Sequence, residues 1–234
     1  MRDAFGFLTV LGRPTSAPAP RALRWFPVVG VTLGAAVGAV WWAADRAFPA
    51  LLAAVLAVAT DLALTGLLHA DGLADTADGL LPPATRERRL EIMRTPDVGA
   101  FGAAVLVVVL LARVGALAAR PADIVLIAAL WCTSRTVVAV APAWLPYARA
   151  DGLASSLLTT KASALTGLAV APALAAAVLV AGWAGAAATV AAVLGGVAVL
   201  LLARARLGGF TGDVLGAAIV VAETVGLVVA GARW

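Results

Sequence analysis

Asp71, Asp75 and Asp78 are the residues of this 234-residue chain whose type and spacing best suit chemistry. They lie in the run Asp71-Gly-Leu-Ala-Asp75-Thr-Ala-Asp78-Gly-Leu80, which contains no basic residue. At about 100° per residue the three fall within an arc of roughly 60° on a helix, so one face carries three negative charges. That face is costly unless a cation sits on it. Mg²⁺ suits it, because this hard ion takes a few carboxylate oxygens and lets substrate phosphates complete its shell. The pattern predicts phosphate chemistry with Mg²⁺ held by Asp71, Asp75 and Asp78. A merely solvated helix end would read similarly in a soluble protein. Here the run follows a hydrophobic span, and ionisable groups beside spans are functional by default.

The elements that must position these residues are membrane helices. The chain is 63% hydrophobic and 13% charged, with a mean hydropathy of +1.02; soluble domains have roughly 45–50% apolar and about 25% charged residues. The apolar stretches are long and lack the period-two alternation of barrel strands, so the expected fold is all-α, polytopic and embedded in a lipid bilayer. Seven spans are expected, at 28–44, 50–68, 100–119, 122–143, 164–182, 185–203 and 214–231, surrounding a polar cavity that faces the cytoplasm. Residues 1–234 read as one catalytic domain, with 1–24 as a cytoplasmic or interfacial lead-in. Met1–Leu11 is apolar, short and without a small-residue cleavage pattern, which suits an interfacial helix better than a signal peptide. The lone Cys132 lies in an apolar run and leaves neither an internal disulfide nor a cysteine metal cluster.

Most basic residues fall on the N-terminal side of the predicted spans: Arg2, Arg13, Arg21, Arg24, the Arg86–Arg94 group, Arg149, Lys161, Arg204 and Arg206. The other side keeps Arg46, Arg120 and Arg233. The positive-inside rule places the N-terminus in the cytoplasm, in a cell inner or plasma membrane. Asp71, Asp75, Asp78, Glu87, Glu91, Asp97, Asp151 and Asp213 fall on that same side, so the active face is expected there. Asp213 follows the glycine-rich run Gly208-Gly-Phe-Thr-Gly212 and could complement a helix dipole, but the glycines suit a loop folding back toward phosphate or metal. Gly72 and Gly79 are likewise read as allowing close approach to phosphates. Arg86, Arg89, Arg94 and Arg149 are candidate substrate contacts, since guanidinium pairs bidentately with phosphate. Arg135 falls inside a span, where it must pair with an acid such as Asp61 or Glu223 or face a polar cavity. The cavity wall is the reading adopted. His69, the only histidine, turns about 160° from Asp71 on an ideal helix, leaving a base, a substrate contact and a structural hydrogen bond all open.

These residues carry a resemblance to a known family. Thr65-Gly-Leu-Leu-His69-Ala-Asp71-Gly-Leu-Ala-Asp75-Thr-Ala-Asp78-Gly79 resembles the signature of cobalamin 5′-phosphate synthase, also called adenosylcobinamide-GDP ribazoletransferase. Arg86–Arg94 with Val98–Gly102, Ser134-Arg135, Pro146–Arg149, and Gly208–Ala217 with Glu223 follow in that family's order, and Phe7-Leu-Thr9 is similar to its opening. The resemblance covers the whole chain. It implies a Mg²⁺-dependent transferase of late cobalamin assembly that joins adenosylcobinamide-GDP to α-ribazole, or its 5′-phosphate, and releases GMP. It raises His69 to a site residue without fixing its role; His69 and Asp78 are the two candidate catalytic groups for taking the proton of the attacking hydroxyl, and Asp213 joins the three aspartates as an additional ligand. Where many members place a carboxylate directly after the basic residue at position 94, this chain has Thr95 and then Asp97, which is taken as its counterpart and a further metal ligand.

Two other classes compete. A cation-coupled secondary transporter would use Asp61 and Glu223, but would gather its acids near the midplane rather than at one face. A CDP-alcohol phosphotransferase also clusters aspartates at a membrane, yet its Asp-Gly-x-x-Ala-Arg pattern is missing here. No Walker lysine motif or strand-linked Gly-x-Gly-x-x-Gly occurs, and no nucleic-acid partner is expected.

Overall fold

The computed structural model describes residues 1–11, 20–149 and 165–233. Among these the regular structure is helical, apart from a single parallel bridge between Tyr147 and Phe210. The helices are α1 (Arg2–Leu8), α2 (Phe26–Ala47), α3 (Ala50–Thr65), α4 (Leu68–Leu80), α5 (Arg86–Ile92), α6 (Ala100–Ala118), α7 (Ile124–Val140), α8 (Val170–Leu207) and α9 (Gly212–Ala230). The Pro14–Pro20 stretch is largely outside the described residues, as are Asp151 and Lys161.

Five helices are long and apolar enough to cross a membrane, or six if α3 and α4 count as one bent span. The expected seven differs in one span and keeps its fifth and sixth as the two segments of α8. The span predicted at 50–68 stops as a helix at Thr65, where Gly66 and Leu67 both take left-handed φ values of 58° and 60° and turn the chain by 90° into α4. The spans predicted at 164–182 and 185–203 are two helical segments within α8 that meet at Gly182, whose φ of 58° and ψ of −141° are non-helical. A Cβ on Gly185 would lie 2.0 Å from the Ala177 carbonyl oxygen. Residues eight apart on a straight helix are about 12 Å apart, so α8 doubles back as a hairpin at that glycine.

Small residues set the packing, because lipid gives apolar helices no hydrophobic reason to associate. Gly30, Gly34 and Gly38 form a stripe on α2 that lies directly on the α7 backbone; added Cβ atoms would meet Trp131 O at 2.4 Å, Ala128 Cα at 2.7 Å and Ile124 Cα at 2.8 Å. Gly195 and Gly196 on α8 face side chains instead, Val225 of α9 for the first and Val137 of α7 with Ala222 of α9 for the second.

The bundle interior also holds charge. Arg113 of α6 pairs with Asp61 of α3 at 3.0 Å and with Glu223 of α9, while Arg135 of α7 pairs with the same Glu223. The Trp131 indole donates to Asp61 at 2.9 Å, and the Ser134 hydroxyl donates to Glu223 at 3.0 Å. All of these side chains are buried. Two guanidiniums against two carboxylates leave no net charge, which makes such a cluster tolerable in a low-dielectric interior. The expectation that Arg135 lines an open cavity is therefore corrected: a span arginine needs an acid, and Glu223 supplies it.

Removing one member strands a buried charge, at a cost of about 3–5 kcal/mol. Arg113→Met is expected to lower the thermal unfolding temperature of the detergent-solubilised protein sharply, whereas Arg94→Gln, at an exposed position, leaves it within a degree or two. Equal melting temperatures would contradict this role for the network.

Candidate active site

Helix α4 lies across one end of the bundle rather than along it. Its first turns pack on the start of α9, with Gly72 against the Asp213 backbone and His69 against Gly216; its last turns pack on the start of α6, with Asp78 against Gly99 and Gly102. The α3–α4 bend, α6 and α9 therefore meet where the acidic residues are.

The three aspartates do not play the same part. Asp78 is buried, and its carboxylate accepts the Gly99 N–H at 2.7 Å and the Gly102 N–H at 2.9 Å. Gly99 is the residue before α6 and offers no side-chain cap of its own, so Asp78 does from another helix what a local Asp or Ser usually does, satisfying orphan donors at a helix start. A negative charge there is also favoured by the helix dipole. The geometry makes Asp78 the fastener of α4 to α6, a part beyond those read from the sequence, and each of its oxygens accepts one backbone N–H and keeps a further acceptor site.

Asp71 is exposed and Asp75 half-buried. Burial, together with repulsion from Asp213 and Asp71, pushes the Asp75 carboxyl up to about 7, with Arg149 partly offsetting it. Asp213 begins α9, takes a hydrogen bond from the Thr211 hydroxyl at 3.3 Å, and pairs with Arg149 at 2.8 Å. Asp71, Asp75 and Asp213 thus share one partly open face. Among the described residues no three His, Cys, Asp or Glu side chains converge as a ready metal cage. Asp97 is exposed in the loop before α6.

The basic residues divide similarly. Arg89 is buried and donates to the Gly79 and Leu80 carbonyls at 2.7 and 2.8 Å, joined at Leu80 by Arg206 at 3.2 Å. These two cap the C-terminus of α4, so Arg89 as a direct substrate contact is corrected to a helix-capping role. Arg86 donates to the Leu207 and Ala148 carbonyls, each at 2.8 Å, fixing the end of α8. Its remaining nitrogen, with Arg94 and Arg149, lines an open cleft of about 490 Å³. Arg149 reaches both ways, donating to the Met93 carbonyl at 3.0 Å and pairing with Asp213.

His69 is buried on the opposite side of α4 from this face, toward Arg135, Asp61 and Arg113, and its Nε2 has no partner among the described residues. It does not meet Asp71 or Asp75. The glycines were legible as points of close approach, but what approaches is protein: Gly79 seats Met93, and a Cβ on Gly209 would lie 2.1 Å from the Pro146 oxygen. Gly208, at φ 76°, closes α8 in the left-handed conformation.

Comparison with known proteins adds a family to this geometry. The Cobalamin-5-phosphate synthase family matches residues 1–231. The chain belongs to that family. Among relatives named adenosylcobinamide-GDP ribazoletransferase, one from Bradyrhizobium diazoefficiens is 41% identical over 99% of this chain and 93% of its own length. Another from Azorhizobium caulinodans is 44% identical over 82% of this chain and 76% of its own, and one from Citrobacter koseri is 38% identical over 88% and 85%. No solved structure matches. The cobalamin-5-phosphate synthase assignment agrees with an acidic face and a basic cleft joined at one end of a membrane bundle. The transporter alternative loses its basis, since Asp61 and Glu223 are both neutralised by arginines.

The sequence named Gly99, Gly102, Arg113 and Arg206 without showing the contacts they make. Arg113 alone carried a signal, because a second arginine inside a span demands a partner as much as Arg135 does. Gly102→Ala would place a Cβ 2.4 Å from Asp78 Oδ2 and 2.9 Å from the Ala74 oxygen. It is expected to destabilise the protein by about 1–3 kcal/mol and to cut turnover. Gly115→Ala on the same helix meets nothing within 4 Å and should change neither. Melting curves and initial rates of both variants check this.

Proposed function

We propose that this chain is an adenosylcobinamide-GDP ribazoletransferase acting from the cytoplasmic face of the cell membrane, using Mg²⁺. The observation that carries the reading is Arg149, which links the face of Asp71, Asp75 and Asp213 to the cleft lined by Arg86 and Arg94. A diphosphate laid across Arg149 would have one phosphoryl group at the carboxylates and the other in the cleft. The substrates are adenosylcobinamide-GDP and α-ribazole or its 5′-phosphate.

In the reaction a ribazole hydroxyl attacks the phosphorus attached to cobinamide. A new P–O bond forms, the bridging P–O bond breaks, GMP leaves with the bridging oxygen, and the hydroxyl gives up its proton. Arg149 and Arg94 hold the diphosphate oxygens and stabilise charge that grows on the departing phosphate. The face of Asp71, Asp75 and Asp213 positions the reacting phosphorus.

The residues present fit a divalent cation. Asp71, Asp75 and Asp213 are hard oxygen donors, and the crowding that raises Asp75 is what a cation relieves. Their open spread suits Mg²⁺, which keeps several waters and takes one or two carboxylates along with substrate phosphates. When bound it supplies neutralisation of the diphosphate charge.

Purified protein given adenosylcobinamide-GDP, α-ribazole and Mg²⁺ is expected to release GMP, and Asp75→Asn to slow release by about a hundredfold or more. Release that needs neither ribazole nor Mg²⁺ would overturn the reading. Cation binding should also respond to pH. Asp75 holds its proton below about 7, and a metal requires the deprotonated carboxylate. Mn²⁺ affinity of the substrate-free protein, followed by electron paramagnetic resonance, is therefore expected to rise as pH increases through 7. Asp75→Asn should flatten that rise.

A further inference from the structure

The cleft beside α5 has more chemistry than phosphate binding needs. It is lined by Arg86, Glu87, Leu90, Glu91, Arg94 and Arg149. Cations alone would serve a diphosphate; carboxylates in the same cleft repel one. Their presence asks for a ligand that is anionic at one end and rich in hydrogen-bond donors at the other.

The two glutamates are not equivalent. Glu91 is held by Arg88 at 2.8 Å, a complete ion pair on the helix surface. Among the described residues Glu87 pairs only with Arg86, at 4.0 Å, the limit of an ion pair, and its side chain is exposed. Arg149, from another segment, keeps a buried Nε with no hydrogen-bond partner among the described residues, and Arg94, just past the end of α5, is exposed and lines the cleft. The cleft thus offers an unfilled carboxylate at one point, donors at another, and the half-buried side chain of Leu90 between them.

We propose that this cleft receives the guanosine monophosphate half of the substrate, with the phosphate on Arg94 and Arg149 and the guanine edge on Glu87. The proposal rests on the transferase reading above and deepens it. Guanine presents N1–H and the 2-amino group side by side, two donors that one carboxylate accepts together. Dimethylbenzimidazole, the base of ribazole, carries no such donors. A corrin ring is too large for a cleft of about 490 Å³, which does lie in the range of small-ligand sites. Position agrees with chemistry: Arg149 joins the cleft to Asp213, so the scissile bridge falls between the leaving nucleotide and the carboxylate face. Glu87 is a specificity residue here, touching the base and not the reacting atoms.

The test is equilibrium dialysis of radiolabelled GMP against the purified full chain, with IMP and AMP as competitors and wild-type turnover measured on the same preparation. Losing one charge-assisted phosphate contact should weaken GMP about tenfold or more in Arg94→Gln. IMP lacks the 2-amino group, so Glu87→Gln should reduce the preference for GMP over IMP by about fivefold, leaving the KM for α-ribazole unchanged. Arg204→Gln, an exposed arginine outside the cleft, should bind as wild type. Turnover that persists while Arg94→Gln and Glu87→Gln bind GMP and IMP like wild type would overturn the subsite and leave the transferase standing. Absence of wild-type turnover would overturn the transferase reading itself.

Discussion

The cluster formed by Asp61, Arg113, Arg135 and Glu223 constrains the rest of the molecule. Four charges removed from water each cost several kcal/mol, and only mutual pairing with good geometry returns that. Apolar helices in lipid can slide and rotate with little penalty, whereas a buried guanidinium cannot leave its carboxylate. The cluster therefore fixes the rotation of α3, α6, α7 and α9 about their own axes. Three of these, α3, α6 and α9, are the helices whose ends meet α4. The position of Asp71 and Asp75 is thus set from deep in the bundle.

At the surface the same logic repeats with polar backbone groups in place of charges. A helix lying across the ends of others confronts their unsatisfied N–H groups and exposes its own terminal carbonyls. Asp78 answers the first problem for α6, and Arg89 with Arg206 answers the second for α4. One of the three aspartates and one of the arginines consequently hold the helices in place, and their loss would disturb the site. What remains open is asymmetric: Asp71, Asp75 and Asp213 on one side, Arg94 and part of Arg86 on the other, and Arg149 between. That asymmetry suits a diphosphate, which needs its two phosphoryl groups held differently if one is to be transferred and the other to depart.

The sequence made the membrane, the helices and the acidic face legible because each is a property of one segment. Hydropathy located the crossings, even the break near residue 183 where Gly182 bends α8. Helical spacing put Asp71 and Asp75 on one face. Roles that depend on register between segments were not legible. Asp78 has the same spacing as its neighbours, and only the approach of Gly99 and Gly102 engages it. Arg89 sits in a basic run where nothing distinguishes it from its neighbours until α4 ends against it. Asp61 and Glu223 are separated from Arg113 by 52 and 110 residues, distances no periodicity spans. Gly72, Gly79 and Gly209 lie close against protein atoms, and the residue type alone does not name such a neighbour.

The α3–α4 bend shows how these constraints combine. Leu67 holds a positive φ, which costs a non-glycine residue roughly 1–2 kcal/mol and persists only where its surroundings over-determine it. Two ties do so. The Val10 N–H donates to the Leu64 carbonyl at 3.0 Å, and the Leu67 N–H donates to the Leu62 carbonyl at 3.0 Å, closing the end of α3. A Cβ on Gly66 would lie 2.6 Å from Val10 Cγ1, so the segment after α1 lies directly on the turn. Downstream, Asp71 N–H continues from the Leu67 carbonyl at 2.9 Å, so the strained residue is also the first acceptor of the helix that bears the acidic face. The N-terminal segment, apolar and easily taken for a passive lead-in, is thereby a strap on the bend that aims Asp71 and Asp75. This gives a physical reason for the Phe7-Leu-Thr9 opening to accompany the acidic motif: Thr9 closes α1 by donating its hydroxyl to the Phe5 carbonyl at 2.8 Å, immediately before Val10 reaches α3.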